Sequence, residues 1–459
     1  MQKNTAPAAG RLFEYGAILI TAPVTRSGIA TAARFAGPAV PVQSGPFDNG
    51  GFQAVGGGAG VQRFGRTVIL VLLALALGIG VWPRLWAAPG VHKHYLHQAQ
   101  AFLQGRLDID ESFGDVATFQ SKHYVVFPPL PAVLITPLVA VFGMQTRTTV
   151  VCLVLTALSF CVLRSTLRRL EVERSAERWL LAAFFLGTAY TTSLFQTYET
   201  WHFAHVVAVA CLLLAVREAL GARRGLLVGL FCGLAFLSRH LCLYSAVFLA
   251  AALWQHGPQD RPGRRALRLA AFGLPLAACV GVYLWLNAVR FGSPFDTGYA
   301  HIPLEGFLAA RVEKYGLFHP AYVPANLVYM FLQGFHIQFT GPAQLVVAGV
   351  DLLGTSVTFA SPFLLFAVLA RWGRPMLWSG WLAILLPTVH MLFYYNNGFA
   401  QTNAQRFTLD FLPVLIVLVA LGMRRVPAAW WRAAIAYSIA LNVVALFVVD
   451  WLRRLTASL

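Results

Sequence analysis

Residues 92–137 read HKHYLHQAQAFLQGRLDIDESFGDVATFQSKHYVVFPPLPAVLITP, and the position of this stretch in the chain decides the fold. It gathers histidines, lysines, an arginine and several acids ahead of an apolar run punctuated by Pro128, Pro129, Pro131 and Pro137. The rest of the chain is apolar: of 459 residues, 58% are hydrophobic and only 12% are charged. Apolar runs of about 17 to 22 residues recur along it, the length a bilayer core requires. A polar insert adds nothing to the stability of lipid-embedded chain, so this one is expected to face a substrate or a membrane surface. The expected fold class is all-α, a polytopic membrane protein of about 11 transmembrane helices whose outward first loop carries interfacial helices.

The expected spans are Thr67 to Trp86, Thr148 to Leu163, Trp179 to Phe195, Phe203 to Val216, Gly225 to Leu237, Leu241 to Trp254 and Leu269 to Val289. They continue with Leu353 to Ala370, Met376 to Phe393, Leu409 to Met423 and Trp431 to Val449. If Pro128 to Gly143 also crossed the bilayer, the loop Arg164 to Arg178, with its 5 arginines, would face outward against the positive-inside rule. Its prolines argue against a continuous span as well, so it is expected to lie along the outer membrane surface. The inward side then collects 23 of the 35 Lys and Arg, the N-terminus is cytoplasmic, and 11 of the 12 histidines, all but His256, fall on the outward side.

The net charge of +17 does not point to nucleic acid, because the positives sit mainly in short loops between spans and no binding module accompanies them. The 6 cysteines lie in or beside apolar runs without CxxC spacing, which argues against both a zinc site and a disulfide framework. Residues 1–62 are rich in Ala, Gly and Pro and are expected to form a disordered or low-complexity segment ahead of one membrane domain, 63–459. His92, His94 and His97 form one cluster of possible metal ligands, and Glu199 with His202 and His205 a second at helical spacing; neither is HExxH. Hydrogen-bonded imidazoles are the alternative for both.

Three passages carry a family resemblance: HYLHQAQAFLQGRLDI with DVATFQSKHYVVFPPLPAVLITPLVAVFG, then LNAVRFGSPFDTGY, then YYNNGFAQTNAQRFTLDFLPVL. Over roughly residues 66–450 the chain resembles bacterial integral-membrane glycosyltransferases of the GT-C superfamily, which includes protein O-mannosyltransferases and the lipid A aminoarabinose transferase. The resemblance implies a polyprenyl-phosphate-sugar donor, a lipid, glycan or protein acceptor, surrounding membrane lipids, and an active site facing outward from the bacterial inner membrane. It also implies an acidic catalytic residue in the first outward loop. Relatives often carry an acid just before the His-Tyr of that loop, where this chain has His92 and Lys93. Asp115 is then the best match and the candidate general base, with Asp108, Asp110 and Glu111 as substitutes.

Glycosyl transfer from such a donor asks for a carboxylate to take the acceptor proton and a cation to meet the phosphate charge. Arg406 and Arg239, with Lys122 and Arg290 as helpers, fall at outward span ends where a lipid phosphate would lie. Arg406 and Asp410, four apart, are also spaced to pair on a helix surface. A divalent ion would be Mg or Mn, held mainly by carboxylate oxygens. The rival readings are a lipid or glycan flippase, which would be expected to carry internal repeats, and a ligase or polymerase with a large late loop.

Overall fold

The computed structural model describes residues 92–255, 262–398, 401 and 403–457. The expected span Thr67 to Trp86, the low-complexity segment and His256 lie outside them. The described helices are α1 His94–Leu103, α2 Leu130–Phe142, α3 Thr148–Arg169, α4 Arg174–Leu186, α5 Ala189–Phe195, α6 Thr200–Ala219, α7 Gly225–Phe236 and α8 Ala246–Trp254. They continue with α9 Pro262–Phe291, α10 Gly306–Tyr315, α11 Val323–Leu327, α12 Val357–Ala360, α13 Arg374–Phe393, α14 Leu412–Met423, α15 Ala428–Val443 and α16 Val449–Ala457. Two antiparallel hairpins interrupt the helical pattern, β1 Val116–Phe119 with β2 Lys122–Val125, and β3 Ile337–Thr340 with β4 Val346–Val350.

Five helices among the described residues are long and apolar enough to cross a membrane: α3, α6, α9, α13 and the run Ala428–Ala457, in which a π-helical turn joins α15 to α16. Each coincides with an expected span, and the protein is a multi-pass helical membrane protein. Within the described residues the other expected spans are built from shorter helices, and the count of about 11 is not confirmed. Trp179 to Phe195 breaks at Gly187 and Thr188, where the chain runs close to α15: a Cβ on Gly187 would stand 3.2 Å from Ser438 Cβ. Thr188 caps the new start by accepting from Tyr190 N. The carbonyls freed by the break are met from other helices, Leu186 O by Asn442 Nδ2 and Gly187 O by Ser361 Oγ. Leu353 to Ala370 resolves into α12 and a 3-10 helix, Pro362–Leu369.

Close packing replaces hydrophobic collapse between lipid-facing helices, and small residues permit it. On α7, Gly225, Gly229 and Gly233 line up at four-residue spacing against α9; a Cβ there would fall 2.2 Å from Arg268 O, 2.0 Å from Phe272 O and 2.6 Å from Cys279 Sγ. The Pro128 to Gly143 segment forms α2, an apolar helix of 13 residues that falls with α7 and α14 among the shorter apolar helices. Its Leu130, Ile135 and Val139 are buried while Val133, Val141 and Phe142 are exposed, so one side packs on the protein and the other does not.

The spans alternate so that their ends form two unlike faces. At one, arginines bind neighbouring connections: Arg164 and Arg168 reach Glu177, Arg169 donates to Leu220 O, Arg217 to Ser165 Oγ, and Arg223 to Gln255 O. This is the face where the sequence collects positive charge. The other face carries α1, the β1–β2 hairpin, α2 and the entries to α6 and α14.

Candidate active site

At that second face a cavity of about 1270 Å³ opens among the first loop, the ends of α5, α7 and α13, the start of α6, the segment before α14, strand β4 and the last helix. It exceeds the roughly 300–1,000 Å³ of pockets for drug-sized ligands. Its wall includes Asp115, Glu199, Trp201, Arg239 and Arg406, so residues far apart in sequence share one chamber.

Asp115 enters the cavity from a fixed turn. His94 Nε2 donates to Gly114 O at 2.7 Å, with Nδ1 3.1 Å from Thr200 Oγ1; Val116 N donates to Phe113 O at 3.1 Å before β1 begins. Burial pushes His94 down to about 3, so it holds this turn as a neutral imidazole. Asp115 itself takes φ 63°, a left-handed conformation that Asp tolerates better than most residues. Its carboxylate accepts a hydrogen bond from the Trp201 indole and lies in the fields of His92 and Arg406. Burial raises its pKa, and those three neighbours oppose the rise.

The cations sort into two groups. Arg239 is gripped by Asp410, Nε to Oδ1 and Nη2 to Oδ2 both at 3.2 Å, and His205 Nδ1 stands 3.2 Å from the same carboxylate. The alternative in which Arg406 pairs with Asp410 gives way to a pair between Arg239 and Asp410. Arg406 instead lies 5.7 Å from the Trp201 ring centroid and 5.3 Å from that of Phe407, and Arg239 lies 5.2 Å from the same Phe407 ring. Two guanidinium groups thus meet at one aromatic ring on the cavity wall. Lys122 is directed to Asp108 at 3.6 Å on the exposed hairpin, and Arg290 donates to Val125 O at 2.6 Å and Asn287 Oδ1 at 2.9 Å; neither lines the cavity. The substitute acids are likewise engaged elsewhere, Asp108 and Asp110 by Arg106 and Glu111 facing His97 at 3.7 Å.

The two histidine clusters do not become ligand sets. His92 Nδ1 donates to Glu199 Oε2 at 2.9 Å, a bond that raises the His92 pKa, while His202 Nδ1 sits 3.1 Å from Ser193 Oγ. Both nitrogens of His94 are spent on the turn described above. Among the described residues, no group of three or more His, Cys, Asp or Glu is gathered as a metal ion would need. Among the described residues the donors near Asp115 are thus imidazoles and carboxylates engaged with other side chains or the backbone, whereas Mg or Mn prefers several converging oxygens.

Other wall residues are aromatics of the outward passages, which the sequence does not set apart from their neighbours. Tyr244 Oη lies 3.1 Å from His390 Nδ1, and Tyr283, Tyr299, Tyr394 and Tyr395 add phenols. An interfacial aromatic belt gives the same sequence signal, so only the fold separates belt from wall. Strand β4, through Ala348, Gly349 and Val350, closes another side; nothing in the pattern around it announces a hairpin.

Fold and site together define a multi-pass helical membrane protein with a large polar chamber at one end of its spans. No family model matches the chain, and no curated protein sequence matches it. Among solved structures it is similar to ArnT from Cupriavidus metallidurans bound to undecaprenyl phosphate, with 14% identity and a TM-score of 0.49 over 86% of this chain and 70% of that one. The apo state of the same ArnT gives 13% and 0.46, over 86% and 73%. An Archaeoglobus fulgidus oligosaccharyltransferase gives 13% and 0.42, over 85% of this chain and 56% of that one.

Proposed function

We propose that this protein is a membrane glycosyltransferase that moves a sugar from a polyprenyl-phosphate donor to an acceptor hydroxyl at the outer face of the bacterial inner membrane, with its N-terminus cytoplasmic. The observation that carries the reading is that Asp115 and the guanidinium groups of Arg406 and Arg239 line one cavity. The family-type motifs of the first loop and of the entry to α14 supply Asp115 and Arg406, and Arg239 comes from the end of α7.

In this mechanism Asp115 accepts the proton of the acceptor hydroxyl as its oxygen bonds to the anomeric carbon. The bond from that carbon to the phosphate oxygen breaks on the opposite side, giving inversion, and polyprenyl phosphate leaves with the electron pair. Arg406 meets the growing negative charge with a planar fork suited to phosphate oxygens. Arg239, held in place by Asp410, adds positive potential beside it. Glu199 fixes His92 close to Asp115, and Trp201 orients the carboxylate while leaving it ionisable. No step is routed through a metal.

The test is transfer of radiolabelled sugar from a panel of polyprenyl-phosphate sugars into membrane extract, by purified protein in nanodiscs, with and without EDTA. Transfer that persists in EDTA and is lost in Asp115→Asn, with donor binding retained, supports the proposal. Lipid that only equilibrates between leaflets replaces it with a flippase. Loss in EDTA restored by Mn or Mg would put a metal into the mechanism.

A further inference from the structure

Arg406 opens a short 3-10 helix, Arg406–Asp410, and the N–H groups at the start of such a turn need partners from outside it. Gln405, which precedes the turn, gives no side-chain cap. The partner comes instead from Gln401, whose Oε1 accepts from Arg406 N at 2.6 Å. At its other end the turn is fixed through Asp410, which meets Arg239 and His205. Gln401 therefore secures the end that carries Arg406.

Gln401 is itself tied down. It is buried on the chamber wall, its N donates to Leu352 O at 2.8 Å, and its Nε2 donates to Leu353 O at 3.1 Å. Leu352 and Leu353 follow β4 in a turn closed by Asp351, whose Oδ1 accepts from Leu353 N at 2.8 Å and whose carbonyl accepts from Gly354 N at 2.9 Å. Gly354 takes φ 81°, and a Cβ there would stand 2.5 Å from Asn403 O, so only glycine lets this turn lie so close to the segment of Gln401. Thr355 N then donates to Asn403 O at 3.2 Å. One side chain thus joins the turn after β4 to the backbone of Arg406. An amide suits that place because it accepts at one atom and donates at the other, whereas a carboxylate lacks the donor and a thioether is at most a weak acceptor.

On the reading proposed above, we infer that Gln401 is a positioning residue for phosphate recognition: by bridging Leu353 O and Arg406 N it sets where the Arg406 guanidinium stands on the chamber wall. It acts through Arg406, and its loss leaves two buried backbone groups without the partner that now fixes them.

The experiment uses the full chain in nanodiscs and a photoreactive polyprenyl phosphate as probe, displaced by unlabelled polyprenyl phosphate. The variants are Gln401→Met, Arg406→Ala and the two together. Gln401→Met is expected to weaken binding about tenfold, the effect of losing buried hydrogen bonds whose partners stay buried. In the Arg406→Ala background the same change should add no more than roughly twofold, because residues that act through one group are not additive. Wild-type affinity in Gln401→Met, or a loss that adds in full to that of Arg406→Ala as a general loosening of the fold would, overturns the inference. Asp351→Ala frees the same turn from a position that does not line the chamber, and carries the test if thermal unfolding shows that Gln401→Met does not fold. It should give a smaller loss with the same non-additivity, and full affinity or an additive loss there overturns the inference equally. Arg406→Ala that binds like the wild type, or a wild type that does not crosslink in the chamber, overturns the lipid-phosphate reading and the inference with it.

Discussion

Asp410 holds Arg239 with both carboxylate oxygens, at 3.2 Å each, across 171 residues of sequence. The carboxylate is wholly buried and the guanidinium nearly so. Breaking a buried pair leaves an uncompensated charge, whereas replacing both members with apolar residues of similar size is often neutral. Asp410→Asn is therefore expected to cost about 3–5 kcal/mol of stability. The double variant Asp410→Leu with Arg239→Met should recover much of that loss while weakening donor binding. Thermal unfolding in detergent and probe displacement measure the two separately. Equal stability in the single and double variants would show that the pair does not bear the load assigned to it.

Asp115→Asn keeps the size of the side chain and removes its capacity to take a proton. General-base catalysis contributes roughly 100- to 10,000-fold, so turnover should fall within that range. Donor affinity should change less than threefold, because phosphate recognition is assigned to other residues. Asp108→Asn is the comparison: Asp108 lies in the network with Arg106 and Lys122, outside the cavity, and its loss should leave turnover unchanged. Single-turnover transfer with preloaded donor separates chemistry from binding.

The broad plan of this molecule is legible in the sequence, and the reasons are physical. Arginine placement predicts which ends of the spans share a face, because moving charge across lipid is costly, and the interactions of Arg164, Arg169 and Arg217 follow that division. The prolines of 128–137 indicate that a long continuous helix does not form there, and α2 has 13 residues against 20 or more in the five long helices. Pairings across long loops are not legible. The local rule brings Arg406 to Asp410, but the fold sends Asp410 to Arg239 and His205 instead. Arg290 reads as an outward cation, yet it anchors the end of α9 to β2 through Val125 O. The helix break at Gly187 is equally hidden, since it depends on the approach of α15.

The Arg406 guanidinium lies 5.7 Å from the Trp201 ring centroid and 5.3 Å from that of Phe407, and an ammonium group cannot reproduce its planar fork. Charge-assisted hydrogen bonds to a phosphate are worth about 1.5–3 kcal/mol, so Arg406→Ala should weaken donor binding by roughly 10- to 100-fold. Arg406→Lys should restore only part of that loss. Lys122→Ala should leave affinity unchanged, because Lys122 serves the exposed hairpin rather than the chamber. Displacement of a photoreactive polyprenyl phosphate by unlabelled lipid checks all three; an Arg406→Lys variant with full affinity would reduce the role of Arg406 to charge alone.

The pH dependence follows from the surroundings of Asp115. Burial raises its pKa, so the ionised base is lost at a higher pH than for a solvated aspartate, whose usual value is about 3.9. Activity falls as pH drops through that raised value, placing the acid limb of kcat/KM above that of a solvated aspartate. His92, itself held toward its protonated form by Glu199, opposes the rise with positive charge. His92→Gln removes that charge, disfavours the ionised carboxylate and moves the acid limb to higher pH. Glu199→Gln acts in the same direction, since without its partner His92 spends less of the range protonated. Full pH profiles of kcat/KM for the wild type and both variants test this; an unmoved limb in His92→Gln would mean that the group titrating there is not Asp115.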